Sequence, residues 1–345
     1  MENKRAAVLV AGSWGTALAT VLADNGCDVT VWTRRAEQAD EINRHHTNST
    51  YLPNVVLHER IRAVTDMAEA LIGADIVVFA ATSSSVREVA RKAAGCIPQN
   101  AYVVHAVKGF ERDTLKRIST ILAEELARPE SSIVVLSGPS HAEEVVRRCP
   151  TTVVAASMSK EAAEAVQDYF MNAYFRVYTN PDVIGVEVAG AIKNIIALGA
   201  GLSDGLGYGD NAKAALITRG LAEIGRLGQA MGAQLLTFAG LAGVGDLVVT
   251  CTSRHSRNWR AGSMLAGGMS LDEVLASMGM AVEGVGTTRA AYALSRRYGV
   301  PMPITEQLHA VLFEGKPPKA AVEALMGRVR THESEEVAKA WLEAE

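Results

Sequence analysis

Short apolar runs alternate with helical patterns over the first half of the chain, and the alternation stops near residue 180. The runs rich in β-branched residues are AAVLV (6–10), DVTVW (28–32), ADIVVFA (74–80), YVVHAV (102–107), SIVVL (132–136), TTVVAA (151–156) and FRVY (175–178). They are continuously apolar rather than alternating, which predicts strands covered on both faces. Between them, stretches such as TALATVLADNG and KEAAEAVQDYFMN carry helical patterns. Strand–helix alternation of this kind predicts right-handed crossovers in a doubly wound parallel sheet. After Pro181 only helices are expected, over 182–201, 211–231, 240–251, 256–267, 271–279, 284–298, 303–314 and a charged tail near 332–344. The expected organisation is an α/β domain over residues 1–180 and an all-α domain over residues 181–345.

One helix stands apart. From Val183 the pattern is apolar almost all the way round, as for a helix buried at the centre of a domain. Lys193 and Asn194 interrupt it. At helical spacing Val186, Gly190, Lys193 and Ala197 share a stripe, so Lys193 leaves a face of small residues that another backbone or a ligand can approach. A lysine there needs an anionic partner, a path to water, or a lowered basicity, because burial disfavours the ammonium form. Asp246, alone in the apolar run GVGDLVV, is a candidate partner, and Thr250 follows it by one helical turn.

Composition narrows the possibilities. The 345 residues are 48% apolar and 21% charged with net charge -4, an ordinary globular balance that disfavours nucleic acid and anionic membranes as partners. The start reads into a strand rather than a signal peptide, and no uncharged run has the length of a membrane span. Cys27, Cys96, Cys149 and Cys251 form no CxxC pair and fit reduced cytosolic thiols.

Val10-Ala11-Gly12-Ser13-Trp14-Gly15 follows the first strand and nearly matches the dinucleotide fingerprint Gly-x-Gly-x-x-Gly, which makes the sheet Rossmann-like. Gly12 allows a pyrophosphate to approach the backbone, and Gly15 allows close helix packing. Val10 takes the place of the first glycine, where a β-branched residue suits positive φ poorly. After the second strand come Arg34 and Arg35 instead of an acid. Two arginines suit a 2′-phosphate, so NADP(H) is expected over NAD(H). Lys108 and the segment Ser137-Gly138-Pro139-Ser140-His141 end two further strands, where open α/β sheets bind ligands. Ser140 is read as a helix cap and His141 as a surface residue at a helix start. In the second half, the glycine-rich GLSDGLGYGDN lacks a P-loop ending, and Asp204 and Asp210 fit loop and capping roles better than a metal. Ser256, Arg257 and Asn258 make either a phosphate cradle at a helix start or a plain N-cap with surface polar residues.

Together these segments resemble NAD(P)-dependent glycerol-3-phosphate dehydrogenase of the bacterial type. The resemblance runs essentially end to end through AGSWGTALA, YLPN, VKGFE, VVLSGPSHAEEV, the FRVYTNPDVIGVEVAGAIKNIIALGAGLSDGLGYGDNAKAALITRGLAEI block, GVGDLVVTCTSRHSRNWRAG and VEGVGT. It implies reduction of dihydroxyacetone phosphate, a small phosphorylated substrate, without a metal, in a cytoplasmic homodimer that supplies phospholipid synthesis. It implies Lys193 as the acid/base, with Lys108 and Asn194 at the reacting centre and Asp246 and Thr250 bracketing the lysine. Gly138, Ser140, Ser256, Arg257 and Asn258 match substrate contacts. Ser13, Trp14, Arg34, Arg35, Ala142 and Glu283 match cofactor contacts, beside Gly12 and Gly15 of the turn; Lys108 and Arg257 border the cofactor as well. Val10, Ala81, Val107 and Ala281 depart from the family pattern, all around the nucleotide pocket. The rival readings are a β-hydroxyacid dehydrogenase of the same two-domain plan, and a nucleotide-binding homologue weakened at Val10.

Overall fold

The computed structural model describes residues 4–330 and 332–333. Eight strands form one sheet: β1 (Arg5–Leu9), β2 (Asp28–Trp32), β3 (Ile61–Val64), β4 (Ile76–Phe79), β5 (Tyr102–His105), β6 (Ile133–Ser137), β7 (Thr151–Ala156) and β8 (Phe175–Asn180). Their order is β3-β2-β1-β4-β5-β6-β7-β8. The chain reverses direction of travel between β1 and β4, the switch point at which such sheets open a crevice for ligands. The helices around the sheet are α1 (Ser13–Asp24), α2 (Ala36–His45), α3 (Met67–Leu71), α4 (Val86–Ala93), α5 (Ile118–Leu126), α6 (Ala142–Val145) and α7 (Lys160–Phe170). Two apolar layers, one on each face, bury the strands, as their continuous apolar runs require.

Two features of the sheet differ from expectation. β3 has no apolar run to announce it: in Ile61-Arg62-Ala63-Val64 only Ile61 and Ala63 are buried, the alternation of a strand at a sheet edge. β7 pairs antiparallel with β6, so the sheet is parallel through β6 and then reverses.

The helical part comprises α8 (Val183–Gly205), α9 (Gly209–Ala230), α10 (Leu235–Phe238), α11 (Asp246–Thr252), α12 (Arg257–Ala266), α13 (Leu271–Met278), α14 (Glu283–Tyr298), α15 (Pro303–Phe313) and α16 (Pro318–Met326). α8 is its axis. Asp182 caps it by accepting from the Gly185 N–H at 2.9 Å, and nearly every later side chain is buried. By length and composition α8 could cross a membrane, but it lies inside the protein. The stretch Leu235–Thr252 passes the same test, yet it is broken into α10, a π-helical turn over Leu241–Gly245 and α11. That break replaces the single helix expected over 240–251.

α8 also runs past the expected end at 201. Gly201 and Gly205 lie against α12, where a Cβ on Gly201 would sit 1.8 Å from the Trp259 carbonyl oxygen. These glycines therefore belong to a helix–helix contact, and the loop expected from GLSDGLGYGDN shrinks to 206–208. Asp204 accepts from Trp259 Nε1 at 2.7 Å and pairs with Lys213 at 2.9 Å. α16 was not expected from the pattern, and the tail helix expected near 332–344 falls almost wholly outside the described residues.

Candidate active site

The C-terminal ends of β1, β2, β4, β5 and β6 share one edge of the sheet, because all these strands run parallel. At the first of them Val10 takes φ 84°, the region the fingerprint reserves for glycine. The expectation that valine would resist this conformation is corrected. Val10 N–H donates to the Trp32 carbonyl at 3.0 Å, and a Cβ on Gly15 would lie 2.2 Å from the Val10 carbonyl oxygen. α1 packs so closely that the turn has one shape, and valine conforms to it.

The rest of the turn suits a dinucleotide. Gly12 begins α1 without a side-chain cap, so the first-turn N–H groups are not taken by a side chain. A Cβ on Gly12 would meet nothing within 4 Å, which leaves room for an anion against the backbone. Trp14 Nε1 is buried without a partner. Ser13 Oγ donates to the Tyr51 carbonyl at 3.0 Å. Arg34 and Arg35 are exposed at the end of β2, with the Arg35 guanidinium 5.4 Å from the Tyr51 ring centre. Ala142 is buried in the first turn of α6, which packs against α1.

The second group of residues assembles where sheet and helices meet. Lys193 is 6% exposed and Asp246 1%. Lys193 Nζ donates to Asp246 Oδ1 at 2.5 Å and to Thr250 Oγ1 at 2.7 Å. Thr250 in turn donates to the Asp246 carbonyl at 2.6 Å. Lys108, arriving from the end of β5, donates to Asp246 Oδ2 at 2.6 Å and to the Gly138 carbonyl at 3.2 Å. One carboxylate thus holds two lysines, one from each part of the chain.

This is possible because Gly190 has no side chain. A Cβ there would sit 3.0 Å from Ser137 Oγ and 3.6 Å from Lys108 Cγ, so Lys108 lies along the small-residue stripe of α8. Burial depresses Lys193 to about 7; Asp246 pulls it back up, and Lys108 pushes it further down. Burial works against the Asp246 charge as well, but the two ammonium groups hold its carboxyl below the ordinary range.

Next to Lys193, Asn194 Oδ1 accepts from Asn258 Nδ2 at 2.8 Å, while Asn258 Oδ1 accepts from the Gly284 N–H at 2.9 Å. Asn258 is therefore largely engaged in joining α8, α12 and α14. Ser256 caps α12, accepting from the Trp259 N–H at 3.2 Å, so its hydroxyl takes the plain capping role. Arg257 is partly committed, with Nη1 donating to the Ala281 carbonyl at 2.9 Å. The backbone N–H groups of Arg257 and Asn258 still face out of the first turn of α12.

The readings of Ser140 and His141 are corrected. Ser140 Oγ turns back to the Gly138 carbonyl at 2.9 Å, and α6 has no side-chain cap. His141 is half-buried, with Nε2 3.5 Å from the Val249 carbonyl and its ring 5.9 Å from that of His255. Burial and the nearby Lys193 charge lower its pKa.

Several residues went unremarked in the sequence. Ser83 donates to Glu283 from both N–H (3.1 Å) and Oγ (2.6 Å), tying the loop after β4 to α14. Burial raises the Glu283 carboxyl above its usual value, against those two hydrogen bonds. Glu187, in the same helix as Lys193, is buried against His105, Arg117 and Ser119. An acid in an otherwise apolar helix was a signal available from the start. Among the described residues no group of three His, Cys, Asp or Glu side chains could hold a metal.

A glycine turn at the sheet's switch point, together with a buried lysine that shares a carboxylate with a second lysine at a strand end, marks a two-part nucleotide-dependent oxidoreductase. The family follows from comparison. Models of the NAD-dependent glycerol-3-phosphate dehydrogenase N-terminus and C-terminus match residues 5–163 and 182–323. The chain is 61% identical to glycerol-3-phosphate dehydrogenase [NAD(P)+] of Bacillus velezensis over 335 residues, 97% of each chain. It is 60% identical to the Bacillus subtilis enzyme of the same name over 97% of each. The crystal structure of glycerol-3-phosphate dehydrogenase from Coxiella burnetii superposes with a TM-score of 0.90 at 39% identity, covering 94% of this chain and 99% of that one. The chain belongs to the NAD-dependent glycerol-3-phosphate dehydrogenase family.

Proposed function

We infer that this protein is an NAD(P)-dependent oxidoreductase that reduces dihydroxyacetone phosphate reversibly to sn-glycerol 3-phosphate, a precursor for phospholipid synthesis. The observation that carries the reading is the Lys193–Asp246–Lys108 cluster at the sheet's ligand-binding edge. When bound, the dinucleotide supplies or accepts the hydride. The first-turn N–H groups of α1, with Gly12, hold its pyrophosphate; Arg34 and Arg35 favour a 2′-phosphate, so NADP(H) is preferred and NAD(H) is accepted.

Lys193, with Asp246 and Thr250 fixing its ammonium, gives a proton to the ketone oxygen in the reducing direction and takes it back in the other. Two of its three hydrogens are engaged, which leaves one for the substrate. Lys108 places a second positive charge where the oxygen becomes negative. Arg257 and the N-terminus of α12, with Asn258, hold the phosphate, and this remote binding aligns the carbonyl. Gly138 and Ser140 border the substrate from the sheet side, and Asn194 orients Asn258.

Residues 1–180 form the nucleotide half and residues 181–345 the substrate half. A cytoplasmic setting is supported by the free cysteines. A homodimer is supported by a groove of about 1030 Å³ beside α9, α15 and α16, lined by Leu216, Leu235, Phe238 and Leu325 among others. The test of function is NADPH or NADH oxidation followed with dihydroxyacetone phosphate. Turnover with dihydroxyacetone phosphate and none with β-ketoacids supports the reading; the reverse preference defeats it.

A further inference from the structure

We propose that Glu187 is a positioning residue: its carboxylate fixes α8 against β5 and α5, and so sets the spacing of Lys193 and Lys108 across Asp246. The inference rests on the role given to Lys193 above. Glu187 lies six residues before Lys193 on the same buried helix, roughly 9 Å along its axis at 1.5 Å per residue. His105 lies three residues before Lys108, at the end of β5. The same strand and the same helix therefore meet twice, once through Glu187 and once through Asp246.

At the first junction both carboxylate oxygens of Glu187 are bonded. Glu187 Oε2 accepts from Arg117 Nη1 at 2.6 Å and from Ser119 Oγ at 2.7 Å. Oε1 accepts from the Ser119 N–H at 2.8 Å and lies 3.2 Å from His105 Nε2. The His105 ring nitrogens make no aligned hydrogen bond there. Arg117 also reaches Glu130 at 2.6 Å, which locks the guanidinium in place. Burial opposes the Glu187 charge, yet His105, Arg117 and the Ser119 N–H hold it at about 2.

A buried ion pair is seldom the most stable filling for an interior; an apolar set of the same volume usually does as well. What it supplies is direction. Apolar packing lets a helix slide by tenths of an ångström, whereas three oriented hydrogen bonds on one carboxylate do not. The second junction needs that precision, because two ammonium groups share one carboxylate. The charged and titratable groups facing Lys193 are Asp246 from α11 and Lys108 from the end of β5, with His141 and Cys251 within electrostatic range. If α8 shifts, Lys108 draws away, its repulsion of Lys193 weakens, and Asp246 is left to Lys193 alone. Both changes favour the Lys193 ammonium.

The test uses the full-length Glu187→Gln protein. Reductive methylation of Lys193 by formaldehyde with cyanoborohydride as the hydride donor, read by peptide mass spectrometry across pH, gives the lysine's titration midpoint without any turnover. The expected result is a midpoint raised by about one pH unit and a kcat for dihydroxyacetone phosphate reduction lowered about tenfold, with NADPH affinity by fluorescence within about twofold. Glu187→Asp, which keeps the charge, should recover part of both losses. A folded Glu187→Gln protein with the parental midpoint and kcat overturns the proposal. Should that variant not fold, Arg117→Lys serves in its place, since it keeps the charge but loses the fork to Glu187 and Glu130. A smaller shift in the same direction is expected, and an unchanged midpoint overturns the proposal. Because the midpoint needs no catalysis, this result is separate from the fate of Lys193's own role, which Lys193→Ala decides.

Discussion

Lys193 is pulled two ways. Burial and Lys108 favour its neutral form, Asp246 its charged form, and the outcome is about 7. A proton donor must be charged, so kcat/KM for ketone reduction should fall as pH rises through about 7. In the oxidising direction the neutral amine is needed, and kcat/KM should rise through the same interval. Pre-steady-state or initial-rate profiles in both directions check this; two limbs of the same sign contradict it. Val10 carries a second residue-scale prediction. Its backbone already sits at φ 84°, so the turn has the glycine shape. Val10→Gly should change the NADPH Kd by less than about threefold, under 1 kcal/mol. A tenfold tightening in fluorescence titration would mean that the valine side chain obstructs the pyrophosphate. The Lys193–Asp246 pairing was legible in the sequence, because a lone lysine and a lone acid in apolar runs need each other. The conformation of Val10 was not, because a close helix can impose φ against a residue's preference.

At the scale of elements, α12 and α8 divide the work. α12 starts at the capping Ser256, and the proposed phosphate contact falls to its first-turn N–H groups and Arg257. Arg257→Ala should raise the KM for dihydroxyacetone phosphate at least tenfold with a smaller change in kcat, measured by steady-state kinetics. An unchanged KM removes the arginine from the cradle. α8 was legible as a buried helix from its all-round apolar pattern, but its length was not. Gly201 read as the end of the helix and Gly205 as a loop residue from sequence, whereas the structure uses both for close contact with α12. Edge strand β3 escaped notice for the opposite reason: half its residues face water, and four residues give too short an alternation to stand out.

For the whole molecule, the decisive feature is the number of places where the sheet and the helices are joined by charge. Lys108 with Asp246, Glu187 with Arg117, and Ser83 with Glu283 all cross that boundary. The two-part architecture was readable from the point where strand patterns end, since apolar periodicity is a local property. The crossing contacts were not, because residues 70 to 200 positions apart in sequence leave no local trace of their pairing. The most direct test is the turnover of Lys193→Ala with NADPH and dihydroxyacetone phosphate, run beside NADPH binding by the same protein. The account predicts a kcat lowered by a factor of roughly a hundred or more with cofactor affinity largely intact. Near-normal turnover would contradict it.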